Sequence, residues 1–205
     1  GCGQRTNPHA IDFLIDHLKN LKKPQYILVQ QLPSEPESFI HLDMVFTLLD
    51  KNYCMVYEPL IMQTNQYKTV MISIDNGKVK INEERNLLTA LEKLGMPMQP
   101  VFCGGSSDLW IQEREQWHSG ANFFALAPGK IIGYRRNINT IEALDQAGFT
   151  VIDALDLMDE EGNPYQEFDL KKPGSYVITF DGSELARGGG GCRCMTMPIR
   201  RKPVE

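Results

Sequence analysis

Near its end the chain carries Ser183-Glu184-Leu185-Ala186-Arg187, four glycines from Gly188 to Gly191, and then Cys192-Arg193-Cys194-Met195-Thr196-Met197-Pro198-Ile199. Four consecutive glycines bury no side chain and lose much backbone entropy on folding. They suit a place where the backbone turns sharply or passes close to a ligand. A thiol just beyond them, leading into the β-capable run Met195 to Ile199, is how a nucleophile is presented. Three other readings stand beside this one. Cys194 could be a small buried hydrophobe, or a redox partner of Cys192, although redox pairs are usually spaced CxxC. A phosphate cradle is a further option, but no Lys-Ser/Thr follows the glycines.

A second chemistry-bearing stretch lies early in the chain, Phe39-Ile-His-Leu-Asp-Met-Val-Phe-Thr47. Read as a strand, it turns His41, Asp43, Val45 and Thr47 to one face and Ile40, Leu42, Met44 and Phe46 to the other. A lone histidine in a strand is commonly structural. A carboxylate two residues away, flanked by large apolar side chains, is costly to bury unless a donor or cation meets it. Thiol, imidazole and carboxylate together suggest attack by Cys194, proton transfer by His41, and an Asp43 that orients the imidazole or holds a cationic substrate.

The elements that must position these groups read as follows. Asn7 caps and Pro8 opens a helix with Ile11, Leu14, Ile15, Leu18 and Leu21 on one face, stopped by Pro24. Tyr26–Val29 and Cys54–Tyr57 are short strands. Thr69–Ile74 and Lys78–Ile81 flank Asp75-Asn76-Gly77, a hairpin signal. A helix with Leu87, Leu88, Leu91 and Leu94 ends at Gly95, and Pro100–Phe102 follows as a strand. The order recurs roughly fifty residues later: Phe123–Leu126, the Pro128-Gly129 turn, Lys130–Tyr134, a helix with Ile141, Leu144 and Ala147, and Phe149–Ile152. Ser175–Phe180 and Thr196–Ile199 bracket the glycine run, and Asp159–Pro164 reads as a surface loop. Two strand–strand–helix–strand units indicate one α/β assembly of small ββαβ repeats spanning residues 1–205, with the opening helix and strand as the tail of a further unit.

The chain has 205 residues, 42% of them hydrophobic, and a formal charge of −5. That balance argues against a nucleic-acid surface. No apolar run approaches the roughly 20 residues of a membrane span, and no signal-peptide pattern opens the chain. The chain opens at Gly1 without an initiator methionine, as a cleavage point or fragment boundary would leave it. Five cysteines (Cys2, Cys54, Cys103, Cys192, Cys194) form no disulfide framework, which fits a reducing cytoplasm. A single CxC and four dispersed histidines give a zinc site little support, so no metal is expected. Cys54 and Cys103 read as buried thiols, His9 and His17 as solvated, His118 as without an obvious partner, and Glu113, Arg114 and Glu115 as surface charges.

His41-Leu-Asp-Met-Val-Phe-Thr47, Arg114-Glu-Gln-Trp117, Gly120-Ala-Asn122, Ala127-Pro-Gly129, Tyr134-Arg-Arg-Asn137, and Gly188–Gly191 through Cys194-Met-Thr-Met-Pro198 closely resemble the arginine deiminase family. Gly1-Cys-Gly-Gln-Arg-Thr-Asn-Pro8 resembles the family's Gly-x-x-Glu-Arg-Thr-x-Pro segment, so the match runs almost end to end. The resemblance implies a five-bladed α/β propeller of ββαβ units, with the N-terminal blades missing from this chain. It implies Cys194 as nucleophile, His41 as acid and base, and Asp43 as the carboxylate that grips a guanidinium. Arg5 matches an arginine that binds the substrate's α-carboxylate, and Arg187 and Gly188 fall in the family's substrate loop. The implied reaction turns L-arginine into L-citrulline and ammonia through an S-alkylthiouronium, with no metal or organic cofactor. Arg114 becomes a candidate member of a structural ion pair.

Two departures from the family pattern bear on function. A further carboxylate pair, in Phe-Thr-Arg-Asp and Glu-Gly-Gly-Asp segments, belongs to an N-terminal half outside this sequence. The expected partner is therefore that half of the same enzyme, and the isolated chain is expected to be inactive on free arginine. The family loop typically reads Gly-Arg-Gly-Arg-Gly-Gly, but Gly189 stands where the second arginine would be. The open alternatives are a hydrolase of another guanidino or ureido compound, such as a methylated arginine or citrulline, and a non-catalytic propeller fragment. A homo-oligomer is also left open.

Overall fold

The computed structural model describes residues 1–163 and 173–200; of the expected loop Asp159–Pro164, Pro164 lies outside them. Helix α1 (Pro8–Leu18) starts where the Asn7 side chain accepts the Ala10 amide at 2.9 Å. It ends at Lys19, well before Pro24, so Leu21 falls outside the helix and is half exposed. Ile11, Ile15 and Leu18 pack on Ile27, Val29, Val70, Ile72 and Ile74 of the first sheet. That sheet joins β1 (Gln25–Gln30), β4 (Thr69–Asp75) and β5 (Lys78–Glu84), all antiparallel, in the order β1-β4-β5. The expected hairpin turn at Asn76-Gly77 is present, both residues having positive φ.

The second sheet has the order β2-β3-β6, from β2 (Phe46–Leu48), β3 (Tyr53–Val56) and β6 (Gln99–Phe102). β2 runs antiparallel to β3, and β6 parallel to it. Helix α2 (Glu58–Ile61) and helix α3 (Leu87–Lys93) cover it, α3 starting where Asn86 accepts the Thr89 amide. Val45, Cys54, Val56, Leu60, Ile61, Leu87 and Leu88 form its core. Each such side chain, once fully buried, stabilises the fold by about 1.5–3 kcal/mol.

The third sheet takes β7 (Phe124–Ala127), β8 (Lys130–Tyr134), β9 (Phe149–Asp153) and β10 (Ser175–Phe180) in the order β7-β8-β10-β9. Helices α4 (Leu109–Trp117) and α5 (Ile138–Gln146) belong to this half. The core here holds Phe123, Ile131, Leu144, Phe149 and Val177, together with Leu49, Met55 and Val101 from the second sheet.

The elements of the two expected repeats are present, but they do not pair within the units read from the sequence. β4 and β5 belong with β1, whereas β6 pairs with β3. The hairpin is therefore an excursion from a unit composed of β2, β3, α3 and β6. In the later unit β10, not β9, lies beside β8. Burial explains the choice. Val177 and Ile178 of β10 are buried, as a central parallel strand requires, whereas Thr150 and Val151 of β9 are exposed at the edge.

The second and third sheets are stitched together at one end. The Gly129 amide donates to Leu49 O at 3.0 Å, the Tyr176 amide to Gly129 O at 2.7 Å, and Ser175 Oγ to the Asp50 carboxylate at 3.4 Å. Thr47 Oγ1 adds a buried hydrogen bond to Ala121 O at 2.7 Å. No described helix is long and apolar enough to cross a membrane.

Candidate active site

His41 and Asp43 are not on a strand. Leu42–Met44 forms a 3-10 turn, with His41 extended at its entrance, and pairing begins only at Phe46. The alternating pattern fails because side chains satisfy this segment's carbonyls in place of a neighbouring strand. Gln116 Nε2 donates to Ser38 O at 2.8 Å and to Met44 O at 3.2 Å, and Asn122 Nδ2 donates to Asp43 O at 3.1 Å. Met44 and Val45 still turn into the core and pin the segment.

The glycine run ends in another turn, not in a strand. Residues 192–195 are turned, Met195 N donating to Gly191 O at 3.3 Å and Thr196 N to Arg193 O at 3.1 Å. The expected strand over Thr196–Ile199 is absent, and Met197 and Ile199 are exposed with no strand beside them. Gly189 (φ 81°) and Gly190 (φ 90°) take left-handed backbone that L side chains rarely adopt. A Cβ on Gly190 would sit 2.9 Å from Cys194 Cβ. Tyr134 OH donates to Gly190 O at 3.3 Å, and Arg136 Nη1 to Ser183 O at 3.1 Å, so the end of β8 holds this loop.

Residues 151 positions apart therefore meet. The Cys194 thiol donates to Asp43 Oδ2 at 3.9 Å, and one ligand atom from each of His41, Asp43 and Cys194 lies within 4.8 Å of the others. Asp43 Oδ2 also lies 3.7 Å from Arg193 Nε, while Asp43 Oδ1 is buried without a hydrogen-bond partner among the described residues. A cavity of about 420 Å³ opens beside Cys194, lined by His41, Arg187, Gly188, Glu37, Trp117 and others. Asp43 and Arg193 face an adjacent cleft that His41 also borders. Arg187 is exposed and pairs with Glu184 at 2.9 Å. Arg5 is exposed and does not line the cavity.

Electrostatics separate the two late cysteines. Burial pushes the Cys192 thiol up to about 12, and Cys54 and Cys103 likewise. Cys194 is an exposed residue, yet partial burial of its thiol also raises it, with the negative charge of Asp43 acting the same way. A hydrogen bond from the Gly191 backbone, the Asn122 amide and the Arg193 cation oppose that rise. Both cysteines are free.

Several supporting residues escaped the sequence reading. Asn122, 1% exposed, satisfies all four of its amide contacts within the site. Its Nδ2 donates to Asp43 O and to Cys194 Sγ (3.3 Å), and its Oδ1 accepts from the amides of Arg193 (2.9 Å) and Cys194 (3.3 Å). Glu115, read as a surface charge, is 1% exposed. It accepts the amides of Asn139 and Thr140, the Asn139 side chain and the Thr140 hydroxyl at 2.6–3.0 Å, so it anchors the start of α5. The expected Arg114 ion pair is present, to Glu115 at 3.4 Å. His118 does have a partner, Arg136 Nη2 at 3.3 Å, and burial with the neighbouring Arg136 and Arg114 charges lowers its pKa. The signal for these residues was α4 itself, which buries Gln112, Glu115 and Gln116 instead of an apolar stripe. A helix buries such a face only where its polar groups find partners.

The structure brings a thiol, an imidazole and an incompletely satisfied carboxylate together beside a cavity, a set whose chemistry suits nucleophilic attack by sulfur on a cationic, hydrogen-bond-donating ligand. The arginine deiminase family model matches residues 1–201. The arginine deiminase of Mycoplasma capricolum subsp. capricolum (strain California kid) is 32% identical over an alignment that covers all of this chain and 44% of that relative. This chain belongs to the arginine deiminase family. It spans less than half the length of that curated relative.

Proposed function

We propose that residues 1–205 act as one domain, the C-terminal catalytic portion of a cytoplasmic arginine-hydrolysing enzyme whose whole is a five-bladed α/β propeller. The observation that carries this reading is Asp43 Oδ1, a buried carboxylate oxygen with no donor among the described residues, on a side chain next to a thiol and an imidazole. Such an oxygen is costly to leave unpaired. A planar guanidinium supplies paired N–H donors and a positive charge in the geometry a carboxylate accepts.

In this mechanism the guanidinium docks on Asp43, and its charge offsets the carboxylate that otherwise raises the Cys194 thiol. Ionisation is thus favoured when substrate is bound, the thiol proton passing to neutral His41 and making it the imidazolium. The thiolate sulfur attacks the guanidinium carbon to give a tetrahedral adduct. His41 as imidazolium then donates a proton to one terminal nitrogen, the C–N bond breaks, and ammonia leaves. The remaining S-alkylthiouronium is attacked by water, whose proton passes to neutral His41. Expulsion of the thiolate yields citrulline. Arg187, Gly188 and Arg5 serve substrate binding in this proposal, Arg187 by leaving Glu184 for the ligand's α-carboxylate.

The further carboxylates that clamp the guanidinium are assigned to the N-terminal half of the same enzyme. Citrulline release is to be measured for an intact polypeptide containing this segment, for its Cys194→Ser variant, and for the 205-residue chain alone. Turnover is expected only in the first. Activity surviving in Cys194→Ser would remove the nucleophile, and citrulline from the chain alone would remove the need for the other half.

A second reading is favoured by Gly189. Its φ of 81° strains any arginine placed there, and the other loop cation, Arg193, faces Asp43 in the adjacent cleft and does not line the cavity beside Cys194. A guanidino or ureido substrate without that carboxylate, or with it differently placed, fits this loop. Ranking arginine against agmatine-like, methylated and ureido compounds by kcat/KM on the intact polypeptide decides between the two.

A further inference from the structure

We propose that His41, Asp43 and Cys194 together form a reversible binding site for a thiophilic divalent cation, with zinc the best fit. The metal site stands without the reading above; only its inhibitory consequence rests on that reading. The ligand set joins an imidazole nitrogen, a carboxylate oxygen and a thiol sulfur from sequence positions too far apart for a spacing motif to reveal. One atom from each lies within 4.8 Å of the others, and the Sγ–Oδ2 separation is already 3.9 Å. Tetrahedral zinc with bonds of about 2.0–2.3 Å places its ligands roughly 3.3–3.8 Å apart, so the set needs to contract by about 1.5 Å at most.

The side chains can make that movement. His41 is exposed, and its ring makes no hydrogen bond among the described residues. Among the described residues Asp43 Oδ1 has no hydrogen-bond partner, and Oδ2 meets the thiol and, at longer range, Arg193. Arg193 is half exposed and is free to swing away once a dication takes its place. The sulfur itself is oriented by the Asn122 amide, the kind of outer partner that fixes a metal ligand. Binding breaks the S–H bond, with the proton released to solvent, and forms a metal–sulfur bond. The thiolate and carboxylate then balance the ion's two charges. No oxidation or reduction is involved, and the fourth position opens to the cavity for water. Calcium and magnesium, which take six or more oxygens, have no comparable ligand set here. The ion occupies the sulfur and carboxylate that a guanidinium would use, so it is expected to exclude that ligand.

The test uses the 205-residue chain with zinc in calorimetry and cobalt as a spectroscopic probe. Expected are one ion per chain, release of about one proton at neutral pH, and a thiolate-to-cobalt charge-transfer band in the near ultraviolet. Cys194→Ser should abolish the band. His41→Gln and Asp43→Asn should each weaken binding by roughly tenfold or more, as loss of a ligand does at such sites. Cys2→Ser, the other incompletely buried thiol, should change nothing. Thermal unfolding of each variant separates loss of ligand from loss of fold. A band that survives in Cys194→Ser, or affinity indifferent to both other substitutions in folded protein, overturns the site. Arginine is then added to the zinc-loaded intact polypeptide. Zinc release supports shared atoms, whereas binding unaffected by arginine removes the inhibitory consequence and counts against the proposed substrate, leaving the metal site intact.

Discussion

Asn122 and Cys194 are joined twice: the Asn122 Nδ2 donates to the Cys194 sulfur at 3.3 Å, and its Oδ1 accepts the Cys194 amide at the same distance. The Asn122 amide also binds Asp43 O, so one side chain fixes the Cys194 thiol relative to the Asp43 turn. Asn122→Asp keeps the size but replaces the donors with a carboxylate facing both the sulfur and a carbonyl. The expected outcome is alkylation of Cys194 by iodoacetamide slowed at least several-fold at pH 8. Stability should fall by about 1–3 kcal/mol in urea unfolding, the cost of leaving buried groups unpaired. An unchanged alkylation rate would show that the amide does not govern the thiol.

The thiols should separate by pH. Cys194 is raised above its ordinary value of 9.0 by burial and by Asp43, so the neutral thiol dominates at pH 7. The thiolate is the reactive form, so alkylation should rise about tenfold per pH unit from pH 7 to beyond pH 9. Cys54, Cys103 and Cys192, pushed up to about 12, should remain unlabelled through that range in the folded protein. Peptide-level mass spectrometry reads each site. A plateau in Cys194 labelling below pH 8 would contradict the burial argument.

Gly190 and Gly188 form a matched pair for the loop. Gly190→Ala meets both a positive φ and a contact of 2.9 Å with Cys194 Cβ, whereas a Cβ on Gly188 would meet nothing within 4 Å, and the φ there is not positive. Gly190→Ala should cost about 1–2 kcal/mol and displace the thiol. Gly188→Ala should stay within about 0.5 kcal/mol of the parent. Urea titrations of the two variants make the comparison.

Glu115 ties α4 to α5 through charge-assisted hydrogen bonds at a helix start where Asn137 makes no side-chain cap. Glu115→Ala should therefore destabilise the fold by at least about 2 kcal/mol, since it strands buried amides. A loss below about 0.5 kcal/mol would mean that water substitutes for the carboxylate.

Local elements were legible because their signals are local. Asn7 caps as its position suggested, and Asn76-Gly77 closes its hairpin. Pairing was not legible, since which strand lies beside β8 depends on burial of Val177 and Ile178 against the whole sheet. The site was legible as a set of residues but not as backbone. His41, Asp43 and Cys194 come together as a nucleophile reading requires, on turns instead of strands. Those turns are imposed by Gln116 and Asn122, whose polar side chains lie far away in sequence and complete the carbonyls of 38, 43 and 44. No periodicity carries that information.

The stitch at Gly129 has a mechanical consequence. His41 and Asp43 ride on the approach to β2, while the Gly190 loop hangs from Tyr134 on β8. Bonds from Leu49, Asp50 and Thr47 to Gly129, Ser175 and Ala121 clamp those two supports into one plate. Under the proposed function, adaptation to guests of different length falls to residues 187–190, which rim the cavity, and not to the plate beneath them. Swapping that rim, with the plate left untouched, is the economical route to a changed appetite.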